Sequence, residues 1–97
     1  MSNTEFFKLQ DLILKRTSLE KVKIHLESRK ERTVYSWIAS ELKEFVKTKD
    51  DIFRPYIDKI LEGIRTEDYE KVLEGVNASI ALLDKKIDEM YKRMANS

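Results

Sequence analysis

The chain has 97 residues, 41% apolar and 38% charged, a formal net charge of +1, two glycines, one proline and no cysteine. This composition excludes a disordered chain, disulfides, thiolate metal sites and a cysteine nucleophile, and the scarcity of turn residues argues against a sheet-rich fold. One domain over residues 1–97 is expected at this length.

The chain opens Met1-Ser2-Asn3-Thr4-Glu5. This start lacks the basic and apolar regions of a secretory signal, and no apolar run approaches the roughly 18 residues of a membrane span. The expectation is a soluble, cytoplasmic protein. Abundant Lys, Glu and Ile beside a single glutamine is the bias of hyperthermophile proteins.

Phe6, Leu9 and Ile13 suit a helix starting near Thr4. Leu12, Leu19 and Leu26 recur every seven residues, which allows one helix from about 4 to 30. Thr17 and Glu20 instead spell a capping box, which would restart the helix there. Val22, Ile24 and Leu26 alternate with polar residues as a strand would. A lone strand in a helical chain has no partner for its backbone, so the helical reading is preferred. Residues 27–33 contain no apolar side chain and read as a break or a solvated stretch of helix.

Val34, Ile38, Leu42 and Phe45 mark a second helix, about 32–48, with Tyr35 and Val46 beside the stripe. Trp37 stands off that stripe, as a boundary residue or an interface anchor. Asp50 and Asp51 can cap a third helix, about 51–64, whose stripe is Phe53, Tyr56, Ile57, Ile60, Leu61 and Ile64. Pro55 falls in its first turn and Gly63 near its exit. A fourth helix, about 67–95, carries Tyr69, Leu73, Val76, Ile80, Leu83, Ile87, Met90 and Met94 in steps of four and three. Thr66 is the expected N-cap, with Glu67, Asp68 and Glu70 in the first turn.

The segment Gly75–Ser79 interrupts this helix with weak helix formers. Gly75, Ala78, Ser79 and Leu82 form a second patch away from the main stripe. Such a patch needs its own neighbour, either another helix of the same bundle or a second subunit.

The stretches "RTSLEKV" at Arg16 and "RTEDYEKV" at Arg65 look like a repeat. Superposing the core positions breaks the match after two turns: Ile80 falls on Lys30 and Leu83 on Thr33. Their likeness reads as two helix starts, each with threonine as cap and acids in the first turn.

Together these elements predict an all-α fold, a small antiparallel bundle of about four helices that dimerisation would complete. One histidine, His25, cannot by itself build a histidine metal site or a catalytic triad. Two isolated glycines cannot form a phosphate loop. No cofactor is implied. The leading reading is a non-enzymatic interaction or scaffold module, self-associating as a homodimer or binding another protein. Its interface candidates are Trp37, Gly75, Ala78, Ser79 and Leu82.

Two alternatives remain. Lys15, Arg16, Lys23, Arg29, Lys30 and Arg32 make a basic segment, near Tyr35 and Trp37, that suits phosphate contact and base stacking. Residues 1–49 carry eleven Lys/Arg against seven Asp/Glu, while residues 50–97 carry eight against eleven. Attraction between the two halves within the fold is the preferred account of that asymmetry. The second alternative is catalytic. Glu41 and Glu44, followed by Glu67 and Glu70, resemble the E-x-x-E and E-x-x-D carboxylates of the all-α nucleotide pyrophosphohydrolases. That resemblance implies magnesium held by these acids, with Glu70 standing where the family has aspartate.

Overall fold

The computed structural model of the protein describes residues 3–28, 32–43, 45 and 51–96. The described residues form four helices: α1 (Asn3–Ser28), α2 (Arg32–Lys43), α3 (Arg54–Arg65) and α4 (Tyr69–Ala95). No strand occurs among them. The two long helices lie at the two ends of the chain and the two short ones between. A single apolar cluster takes side chains from every helix, including Leu19, Val22 and Leu26 from α1, Ile38 and Leu42 from α2, Ile57 and Ile60 from α3, and Val72, Val76 and Leu83 from α4.

α1 is one unbroken helix. Thr17 does not cap a second helix; its hydroxyl donates to the carbonyl of Ile13, 3.0 Å away in the preceding turn. This back-bond is the usual fate of a mid-helix threonine, and the apolar series Leu9, Leu19, Val22 and Leu26 keeps packing across the position. Phe6 and Ile13 also depart from the expected stripe: both are exposed, while Leu12 is half-buried against the core.

Ile38, Leu42 and Phe45 of the second stripe are buried as expected. The side chains of Val34 and Tyr35, and residue Val46, lie outside the described residues. Phe45 follows α2 in a turn, its amide donating to the Leu42 carbonyl. Its ring meets Phe53 edge to face at 5.7 Å between centroids, and the Lys15 ammonium sits over both rings. Such cation–aromatic contacts add to the burial of the two rings.

α3 begins later than the sequence suggests. The Asp51 carboxylate accepts from the Phe53 amide at 2.9 Å, and the Arg54 amide donates to the Asp51 carbonyl, so Asp51 forms a turn just before the helix. Asp50 lies outside the described residues. Pro55 sits in the first turn, where its missing N–H leaves nothing unpaired.

The α3–α4 connection corrects the expected cap at Thr66. α3 ends in a Schellman turn: the Asp68 amide donates to the Gly63 carbonyl at 2.8 Å, and the Glu67 amide to that of Ile64. This turn puts Glu67 in the left-handed region, with φ 56°. The Thr66 hydroxyl is spent on the Glu62 carbonyl of α3. Asp68 therefore takes the N-cap role for α4, accepting from the Lys71 amide at 3.2 Å. The two "RT" stretches thus serve different ends, a helix interior and a helix stop.

The small residues of α4 find their neighbour inside the chain. A β-carbon added to Gly75 would lie 2.6 Å from Cγ1 of Ile60, and one added to Gly63 would lie 2.8 Å from Cγ2 of Val72. Each helix supplies one large and one small residue, in antiparallel order, so the two backbones close on each other. Ser79 stands four residues beyond Gly75 on α4. It is fully buried, and its hydroxyl donates to the Gly75 carbonyl at 2.9 Å. Burying a hydroxyl is tolerable because that bond satisfies it.

Candidate functional site

The residues singled out in the sequence fall into three groups. The first is the small-residue patch. Gly75 is buried against Ile60 of α3, Ser79 is fully buried, Leu82 packs against the core cluster, and Ala78 is half-buried. The neighbour that Gly75 requires is therefore supplied by α3 of the same chain. Trp37 sits where a boundary residue would, 38% exposed, its ring edge to face with that of His25 at 4.9 Å.

The second group is the basic segment. Lys15 pairs with Asp11 at 3.2 Å and covers the Phe45–Phe53 pair. Arg16 bridges α1 to α4 through Asp84 and also pairs with Glu20. The hydrogen bond from Arg16 to Asp84 holds the guanidinium even more firmly protonated than usual. Lys23 is half-buried. Arg29, Lys30 and the Arg32 side chain lie outside the described residues. Lys15 and Arg16 are thus engaged within the chain rather than presented together.

The third group is the carboxylates. Glu41 and Glu70 are exposed, Glu67 occupies the turn before α4, and Glu44 lies outside the described residues. Among the described residues, no three acids or histidines converge as ligands for a metal ion. Nor is any described helix long and apolar enough to cross a membrane.

What the sequence reading missed lies on the outer side of α1. Phe7 is 63% exposed, Leu14 67% and Ile24 58%, with Phe6 and Ile13 beside them at 41% and 39%. These residues share a face. Starting at Asn3, steps of four and three lead through Phe7, Gln10, Leu14 and Thr17 to Lys21, Ile24 and Ser28, and all eight positions are exposed. This is the heptad pattern of a helix seam. Only Lys21 among the eight carries a charge, on a helix otherwise dense in acids and bases. The inner face, with Leu19, Val22 and Leu26, is already filled by the core. α1 therefore carries two apolar seams, and among the described residues one is packed and the other exposed.

A signal for the outer seam was present. A solvated face of a helix in a chain with 38% charged residues should be charged, and this one is not. The inner leucines masked it, because Phe6 and Ile13 appeared to extend their stripe.

No protein family, no curated protein and no solved structure matches the chain.

Proposed function

We propose that the protein is a non-enzymatic interaction module whose contact surface is the outer face of α1. The observation that carries this reading is the row Phe7, Leu14 and Ile24, each more than half exposed on a helix whose other face is already packed. Exposed apolar area of this kind has an unfavourable free energy in water, and contiguous patches of this sort mark association sites. Trp37 and His25 extend the face at its C-terminal end with aromatic surface, since His25 follows Ile24 on the same helix.

Variants test the reading. Leu14→Glu combined with Ile24→Glu places charge on the face without touching the core. The expected result is an unchanged helix content, with association lost and solubility raised relative to the original chain. An original chain that stays monomeric at every concentration, and is no less soluble than the variant, contradicts the reading.

A further inference from the structure

We propose that the partner on this face is a second copy of the chain, with the two α1 helices antiparallel across a two-fold axis that passes between Leu14 and Thr17. This rests on the reading of the outer face as a contact surface and adds its occupant and register.

The outer seam is nearly palindromic in chemistry. Reversed on itself about that axis, Phe7 meets the partner's Ile24, Gln10 meets the partner's Lys21, and Asn3 meets the partner's Ser28. Leu14 packs beside the methyl-bearing partner's Thr17. Three of the four pairings set apolar against apolar or polar against polar, and at the central one the Leu14 side chain meets a threonine methyl. A parallel pair would set each residue against its own copy. That would bring the two Lys21 ammonium groups together at the seam, where like charges repel. The antiparallel pair separates them and gives each lysine an amide oxygen to bond.

The flanks agree. On one side of the seam lie Phe6 and Ile13, then Glu20 and Glu27; on the other lie Thr4, Asp11, Ser18 and His25. In the antiparallel register Glu20 lies near the partner's Ile13 and Glu27 near the partner's Phe6, so no acid faces an acid. The same acids argue against other occupants. Asp11, Glu20 and Glu27 border the seam, which disfavours nucleic acid and an anionic lipid surface.

The area is sufficient. At about 200 Å² for a large side chain, the exposed parts of Phe6, Phe7, Ile13, Leu14 and Ile24 amount to roughly 500 Å² per copy. A symmetric pair that covered these side chains completely would hide on the order of 1,000 Å², the lower bound for a specific interface. The seam spans all 26 residues of α1, about 39 Å at 1.5 Å per residue.

The absence of cysteine makes the register directly measurable. Two single variants, Gln10→Cys and Lys21→Cys, are mixed and treated with a short bismaleimide, and the cross-linked species are identified by mass spectrometry. The antiparallel pair predicts the mixed product joining position 10 to the partner's position 21. Same-position products should be weak, because those sites stand about 16 Å apart along the axis. Adding Leu14→Glu to both variants should abolish the cross-link. Same-position products instead of the mixed one would overturn the register while leaving the contact surface standing. A dimer that survives Leu14→Glu would overturn both the register and the surface. A chain that forms no cross-link and sediments as a monomer would overturn the dimer.

Discussion

The α3–α4 seam and the outer face of α1 are both apolar, yet they are built from opposite materials. The inner seam alternates large with small: Ile60 against Gly75 and Val72 against Gly63. The absent side chains let two backbones approach until no room remains. The outer face of α1 has no glycine or alanine and projects Phe7, Leu14 and Ile24 outward. The small residues of α3 and α4 thus report a neighbour already close, while the large exposed ones of α1 carry the proposed contact surface. Mutations should separate the two surfaces cleanly, since one holds the monomer together and the other is the contact surface proposed above.

The largest effect belongs to the inner seam. Ile60 is fully buried against Gly75, so Ile60→Ala should cost about 2–5 kcal/mol in unfolding free energy by denaturant titration. Gly75→Ala should also destabilise, by about 1–3 kcal/mol, although alanine is the better helix former. The new methyl meets Cγ1 of a β-branched side chain, which has few rotamers in which to withdraw. The double variant should lose less than the two single losses combined, because the added methyl then occupies space that Ile60 has vacated. Strict additivity would show that the two residues do not share a seam.

At the outer face the expectation reverses. Leu14→Glu should leave the monomer's unfolding free energy within about 0.5 kcal/mol of the original, as for other exposed substitutions, while the sedimenting mass falls to that of one chain. A large loss of monomer stability would place Leu14 in a core, contrary to its exposure.

A smaller effect is expected at the turn between α3 and α4. Glu67 holds a left-handed conformation that glycine adopts without strain. Glu67→Gly should raise stability by roughly 0.5–1 kcal/mol in thermal unfolding, the relief of strain outweighing the added freedom of the unfolded chain. A loss would mean that the Glu67 side chain contributes more than its backbone costs.

The smallest effect concerns pH. Arg65, by a hydrogen bond of 3.0 Å and by its charge, holds the Glu62 carboxyl below the usual carboxylate range. A depressed carboxyl adds stability above its unfolded value of about 4.3, and that stability is lost as pH falls through the lower folded value. The pair lies at the surface, Arg65 exposed and Glu62 half-buried, so solvent screens most of the gain. Glu62→Gln should therefore lower stability slightly at neutral pH, leave it unchanged at strongly acid pH, and so flatten the acid limb of the stability curve.

Much of this fold was legible in the sequence. The four helices, the burial of Ile38, Leu42 and Phe45, and the core positions Val76, Ile80 and Leu83 follow from helical spacing alone. Periodicity marks which positions share a face but not how many faces are covered. This is why Val72 and Gly75 are buried while Leu73, of the expected stripe, is only half-buried: α4 serves both α3 and α1. Caps were misread for a related reason. Threonine can bond forward as a cap or backward to the previous turn, and at Thr17 and Thr66 the backward bond won. The outer seam of α1 went unread because large apolar residues are ordinarily assigned to the core.

The most direct test of the contrast between the two surfaces is the melting temperature of three chains followed against protein concentration. A pair formed by folded chains alone adds stability that grows with concentration. The original protein should therefore melt higher as its concentration rises. Gly75→Ala should show the same slope from a lower starting point, and Leu14→Glu should show no slope. An original chain whose melting temperature is indifferent to concentration would contradict the account.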